Sequence, residues 1–271
     1  MQKVTGNVYA ETELAGCNPG FVVTSEGVVM IDTPQMPADA IKWRDEIVKH
    51  GPVRYIMITE PHGDHFSGIH FFEGTVIAHE GTREAILAAD VEQLKERLQQ
   101  TAPENLPFLE GFSYHPPTIT LNDRATIYVG DHTFQLTNHP GHTPYQVAVY
   151  IPEEKVVFTS DNIFYETHPF LHQAVPYEWL NSLDRLQELG AEHMVPGHGE
   201  VCRPSYIPEM KAAIQDWIDA VSDAISKGLS LEEAQDTISF LDRYPMDARM
   251  EAMGPMLQRM NVARLYEVLK K

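Results

Sequence analysis

Glu60-Pro61-His62-Gly63-Asp64-His65 packs two carboxylates and two imidazoles into six residues, directly after the apolar run Tyr55-Ile56-Met57-Ile58. Ionised carboxylates and imidazoles beside a core must be paired, hydrogen-bonded or bound to metal. Side chains at 60, 62 and 64 converge from a loop crossing the end of a strand, and His65 turns to a second position. That is the layout of a two-metal site, one ion taking the first pair and the other taking Asp64 and His65. Taken alone, the stretch also fits a solvated loop or a capped helix start.

Three further patches decide between these readings, each beside an apolar run. His139-Pro140-Gly141-His142-Thr143-Pro144 precedes an expected strand at Gln146–Ile151. Ser160-Asp161-Asn162 follows a strand at Val156–Thr159, and Pro196-Gly197-His198-Gly199 follows one at His193–Val195. Glycine and proline let a loop turn sharply and come close to an ion. Together the patches supply about seven ligands, as a bridged two-metal site requires.

These residues carry a family resemblance. With Asp32 after its own apolar strand, Glu60 to His65, Pro140-Gly141-His142-Thr143, Ser160-Asp161 and Pro196 to Gly199, the chain resembles the metallo-β-lactamase superfamily of hydrolases. Within it, the chain is similar to the glyoxalase II-like and lactonase-like branch, from roughly Val4 to Val201. The resemblance implies an α/β fold, a four-layer αββα sandwich, with the site at one edge of two sheets. It implies His62 and His142 on the first metal, Asp64, His65 and His198 on the second, and Asp161 bridging both. A bridging Asp161, where β-lactamases of the superfamily carry Cys or Ser, implies no efficient antibiotic hydrolysis.

One position departs from the family pattern His-x-His-x-Asp-His, because Glu60 stands first. Glu60 as a ligand, Glu60 behind the ligands with a weakened first site, and a dead site are the three readings. Ligation is preferred, since the other six positions match. Zinc is the expected metal for both ions. With Glu60, Asp64 and Asp161 all ligating, the harder oxygen set moves preference toward iron or manganese.

The implied activity is metal-dependent hydrolysis of a small ester, lactone, thioester or related electrophile by a metal-bridging hydroxide, with Asp64 nearest the nucleophile to hold its proton. A diiron-type redox or oxygen-handling protein on the same fold is the alternative, and a non-catalytic binding protein is a third reading. Tyr165, His168 and His172 follow Asp161 and are the candidates for touching substrate, although each also fits a loop with satisfied side chains.

The elements that must position these residues read as two blocks. The first has strands at Val4–Thr12, Gly20–Thr24, Gly27–Asp32, Val53–Ile58 and Thr75–His79, with helices at Ala38–His50 and Arg83–Gln99. Asp32 ends its strand either as a turn cap or as a carboxylate supporting the site. Residues Thr101–Pro117 form a long proline-bearing loop, either a lid or a surface insertion. The second block has strands at Thr118–Leu121, Ala125–Val129 and Thr133–Leu136 ahead of the two already named, then a helix at Glu178–Leu189. Ile207, Met210, Ile214, Trp217, Val221 and Ile225 mark an amphipathic helix, Ser230-Leu231-Glu232-Glu233 a capping box, and Val262–Leu269 a last helix. The expected division is a sandwich over 1–204 and a helical extension over 205–271 packed on the same unit.

Composition narrows the partners. The chain has 271 residues, 39 acidic and 20 basic side chains, and a formal charge of −19. Such a surface repels phosphate backbones and anionic membranes, so a small-molecule substrate is expected, with no nucleic acid and no membrane. Cys17 and Cys202 are too few for a disulfide framework. No run approaches the roughly 18 apolar residues of a membrane span. The N-terminal residues carry no apolar targeting core, which leads to a cytoplasmic expectation. The apolar stripes of the tail suit a homodimer.

Overall fold

In the computed structural model, which describes residues 1–246 and 251–270, two sheets lie face to face. Residues 247–250 and Lys271, part of the expected extension, lie outside the described residues.

The first sheet takes its strands in chain order: β1 (Gln2–Lys3), β2 (Val8–Ala10), β3 (Gly20–Thr24), β4 (Gly27–Ile31), β5 (Val53–Ile58), β6 (Thr75–His79) and β7 (Ile119–Leu121). The first three pairings are antiparallel and the last three parallel. The single strand expected at Val4–Thr12 is thus two, separated by a turn in which Val8 O accepts from Val4 N and Thr5 N. The second sheet runs β8 (Arg124–Val129), β9 (His132–Asn138), β10 (Val147–Ile151), β11 (Val156–Phe164) and β12 (His193–His198), with β11 and β12 parallel.

Strand β4 is buried along its whole length. Its unbroken Val-Val-Met-Ile run follows, because both faces of the strand are covered. Val29 and Ile31 face the second sheet and pack with Met57, Phe134, Val149 and Phe158. Val28 and Met30 face outward against Trp43 and Ile47 of α1 (Pro37–Ile47) and Ile69 of the 3-10 turn Ser67–Phe71 that follows α2 (Gly63–Phe66).

The helix expected over Arg83–Gln99 is two, α3 (Glu80–Ala88) and α4 (Val91–Thr101). Asp90 divides them, its carboxylate accepting from Glu92 N at 2.9 Å. A capped start for α4 is worth about 1 kcal/mol, enough to break a run in which Leu87 is solvent-exposed. Residues 101–117 pack on α4 and are tied to the start of α1. The 3-10 segment Pro103–Leu109 buries Leu109 against Leu94, Leu98 and Ala102, and Asn105 Oδ1 accepts from Ala38 N.

On the outer face of the second sheet lie α5 (Pro176–Gln187), α6 (Ile207–Ser226), α7 (Leu231–Thr237) and α8 (Gly254–Leu269). Trp179, Trp217, Val262 and Leu265 from these helices share one core with Val157 and Ile163 of β11. The capping box at Ser230 and Glu233 is formed in full. Among the described residues no helix is long and apolar enough to cross a membrane.

Candidate metal centre

Beyond Ile58 the chain turns across one edge of the two sheets and is tied to both. Thr59 donates its N–H to Asp32 Oδ1 at 2.8 Å and its hydroxyl to Asp32 Oδ2 at 2.6 Å. Its carbonyl accepts from Val147 N of β10 at 2.7 Å. Asp32 leaves β4 at a φ of 54°, a region where Asp and Asn are among the few tolerated side chains. Its Oδ2 also accepts from His65 Nδ1 at 2.9 Å. Asp32 therefore ties Thr59 and His65 to the end of β4.

The expected strand at Val156–Thr159 continues to Phe164, so Asp161 lies inside β11 instead of after it. The pairing with β12 is irregular there, shifting between Phe158 and Ser160 and again before Phe164. Ser160 at a φ of 52° marks the irregularity, which re-aims Asp161 into the cluster. Gly197 makes room: a Cβ at that position would fall 1.8 Å from Asp161 Oδ1. Gly199, at a φ of 90°, lets the chain turn under the carbonyl of Tyr165. His142 sits on the β9–β10 loop, its N–H donated to Asn162 Oδ1 at 3.2 Å while Asn162 Nδ2 holds His139 O at 2.7 Å.

The seven candidate donors form two groups. Glu60 Oε1 lies 2.8 Å from His62 Nδ1, and His62 Nδ1 lies 3.1 Å from His142 Nε2. His142 Nε2 is 3.6 Å from Asp161 Oδ2 and 3.8 Å from Glu60 Oε2. In the second group Asp64 Oδ2 is 3.6 Å from His198 Nε2 and 3.9 Å from His65 Nε2. Glu60 also touches this group, with Oε1 3.3 Å from His65 Nε2. One donor atom from each of Glu60, His62, His142 and Asp161 falls within 4.8 Å of the others, as does one from each of Asp64, His65 and His198.

Each supporting bond fixes which nitrogen faces inward. His65 gives Nδ1–H to Asp32, and His142 gives Nδ1–H to Phe170 O. Their Nε2 lone pairs are left for the cluster, as in metal-ligating histidines generally. Burial holds the His142 imidazole well below its usual range and therefore neutral. Burial also raises the Glu60 carboxyl, and Glu60 lifts His62 to about 9 against the burial of that ring. Asp161 is held well below the carboxylate range against its burial, by His198 and then His65.

The donor set fits divalent metal. Among the described residues, Glu60 Oε2, His65 Nε2 and Asp161 Oδ1 are buried with no hydrogen-bond partner. Unpaired buried groups of this kind are costly, and divalent cations held among them would compensate all of them. Cys17 lies nearby, its thiol donating to Asp64 O at 3.1 Å, and burial pushes it far above its ordinary value.

The three expected substrate contacts separate. Tyr165 lines a cavity of about 440 Å³ that reaches His198 and includes Asn18, Thr167 and Met246. The His172 ring stacks on His62 at 5.0 Å between centroids. His168 needs correction. It is fully buried, Nδ1–H bonds Tyr244 O at 2.9 Å, and Nε2 accepts from Gln258, so the ring has no atom to offer a substrate. Sequence reading passed over Thr59, Asn162 and the carbonyl of Phe170. Thr59 adjoins the motif and Asn162 adjoins Asp161, so proximity was their only signal. A main-chain carbonyl leaves none.

Residues 13–198 match the profile of the metallo-beta-lactamase superfamily. The chain belongs to that superfamily. It is 27% identical over 231 residues to the metallo-beta-lactamase type 2 of Elizabethkingia meningoseptica, spanning 81% of this chain and 80% of that one. It is also 27% identical over 225 residues to a lactamase-like protein of Penicillium aethiopicum, covering 79% of this chain but 63% of the fungal protein's length. A crystal structure of a metallo-beta-lactamase family protein from Thermus thermophilus superposes with a TM-score of 0.69 at 19% identity, over 99% of this chain and 94% of that one.

Proposed function

We propose that the protein is a dinuclear metal-dependent hydrolase of a small-molecule ester, lactone, thioester or related electrophile. Glu60, His62 and His142 would hold one divalent ion, Asp64, His65 and His198 the other, and Asp161 both. The carrying observation is the convergence of these seven side chains with buried, unpartnered oxygen and nitrogen atoms among them. Zinc is the first choice of metal; the three carboxylates also suit iron or manganese.

Divalent ions held there supply an activated water at neutral pH and an electrophilic pull on a substrate oxygen. The protein's own part is positional. Asp32 and the Phe170 carbonyl orient His65 and His142. Asp64, whose side chain is 23% exposed against 3% or less for Glu60 and Asp161, is the carboxylate best placed to take a proton from the attacking water. Substrate would approach past Tyr165 and His198. The acidic surface supports a small molecule, with no nucleic acid or membrane as partner. We read residues 205–271 as an extension of the 1–204 unit, a reading supported by the core α6 and α8 share with β11.

Elemental analysis of the chain and of Glu60→Ala tests this reading. About two equivalents in the parent and about one in the variant are expected, with esterase, lactonase or thioesterase turnover that a chelator abolishes. A parent protein that binds no divalent metal would overturn it.

A further inference from the structure

We infer that Asn261, on the last helix and outside the donor cluster, is the positioning residue for the metal ligand His142. The inference rests on the reading of His142 as a ligand. Asn261 is fully buried on α8. Its Oδ1 accepts from Leu171 N at 2.7 Å, and its Nδ2 donates to Pro169 O at 3.0 Å. The residue between these two anchors is Phe170, whose carbonyl accepts Nδ1–H of His142. One primary amide thus clamps the two peptide units that flank the Phe170 Cα, and the second of these carries the carbonyl that sets the tautomer and orientation of His142.

The chemistry of the clamp is specific. Pro169 offers a carbonyl and Leu171 an N–H, and a primary amide satisfies both at once. Aspartate could serve Leu171 N–H but would set a carboxylate against Pro169 O. Alanine would serve neither, leaving buried main-chain groups without partners.

A neighbouring contact holds α8 in register for this task. Gln258, three residues earlier on the same helix, takes Phe240 N on its Oε1 at 2.6 Å and donates to His168 Nε2. His168 in turn donates Nδ1–H to Tyr244 O and its main-chain N–H to Pro245 O. The segment from Thr167 to Leu171 is therefore fastened to the C-terminal part of the chain at His168, Pro169 and Leu171. Phe170 keeps its carbonyl for His142. The helical extension acts on the site through this bracket, without contributing a ligand.

The test compares Asn261→Ala and Asn261→Asp with Val262→Ala and His142→Ala. Val262 is the next residue on α8 and is fully buried, so its truncation loosens helix packing while leaving the bracket intact. Each variant is titrated with Zn(II) against a competing chelator and with Co(II) by visible absorption. In Asn261→Ala, one of two ions is expected to bind tenfold to a hundredfold more weakly, with an altered Co(II) spectrum, as when groups supporting a ligand are lost elsewhere. Val262→Ala should lower the melting temperature yet keep both affinities and the spectrum. Should alanine at 261 unfold the chain, the nearly isosteric aspartate supplies the comparison, with a smaller loss in the same ion. Wild-type affinity and spectrum in the Asn261 variants, or an equal loss in Val262→Ala, would overturn the inference. Loss of one ion in His142→Ala but not in the Asn261 variants would overturn it alone, leaving the metal centre standing. A parent protein without metal, or His142→Ala with full metal, would overturn the metal-centre reading and this inference with it.

Discussion

Asp161 sets one carboxylate oxygen 3.2 Å from His65 Nε2 and the other 3.3 Å from His198 Nε2. Its second oxygen also faces His142 at 3.6 Å, so a single buried side chain touches both donor groups. Replacing it with asparagine keeps the volume and removes one oxygen donor and the charge. Asp161→Asn is expected to lose at least one ion and about a hundredfold or more in turnover. Metal analysis and steady-state rates check this together. Full occupancy at both positions would remove Asp161 from the role given to it.

Asp32 allows the backbone cost of a substitution to be compared with the cost of its lost side-chain bonds. Its φ of 54° suits Asn as well as Asp, so Asp32→Asn leaves the turn unstrained. The charge is lost, and only one oxygen remains: if it serves His65 Nδ1–H in place of Oδ2, the amide nitrogen faces the Thr59 N–H that Oδ1 now accepts. Metal affinity should fall about tenfold to a hundredfold, with a moderate fall in melting temperature. Asp32→Ala adds the left-handed backbone penalty of roughly 1–2 kcal/mol and should be the less stable of the two. Chelator titration and thermal melts of the pair discriminate the two effects.

The glycine at 197 is predicted to be intolerant for a local reason. A methyl group there would occupy space 1.8 Å from Asp161 Oδ1, and main chain of the neighbouring strand lies 2.8 Å away. Gly197→Ala should therefore push Asp161 out of the cluster and mimic Asp161→Asn in metal content while the sheets persist. Unchanged metal content and activity in a folded Gly197→Ala would show that Asp161 need not stand where it does.

Acid sensitivity is expected from His139. Burial holds this imidazole down at about 4, with Arg185 adding to the effect and Ser182 O opposing it. A histidine depressed in the fold binds its proton more readily when unfolded. Its contribution is thus present above the unfolded value of about 6.5 and is lost as the pH falls from there toward 4, amounting to roughly 3 kcal/mol at most. Stability measured by denaturant between pH 7 and pH 4.5 should fall, and His139→Gln should flatten that slope. Parallel slopes for the two proteins would refute the assignment.

Much of this architecture was legible because burial writes itself into the sequence. Val28 to Ile31 is apolar throughout since both faces of β4 are covered, and the strands expected at Ala125–Val129 and Thr133–Leu136 pair as a hairpin across Gly130-Asp131. The residues that converge in the candidate cluster stood out because side chains of such types beside Gly and Pro at strand ends are unusual. Illegible features depended on competition between local and distant forces. Asp90 caps a helix inside a run that reads as one. The irregularity around Ser160 is a matter of pairing between strands far apart in sequence. His168 looks like a pocket residue until the last helix, some ninety positions later, buries it.

The candidate donors are scattered between residues 60 and 198, and the amide that brackets Phe170 comes later still, at 261. During synthesis a chain emerges in the order of its residues, so Glu60 to His65 leave the ribosome long before their partners. On the proposed reading, a nascent chain could not close the cluster until β12 had been made, and the hold on His142 would wait for α8 to emerge and dock. Tight metal capture would then follow the synthesis of both sheets and of α8, instead of accompanying the first motif. Products that stop short of α8, however well their first sheet folds, would hold the ion at His142 weakly.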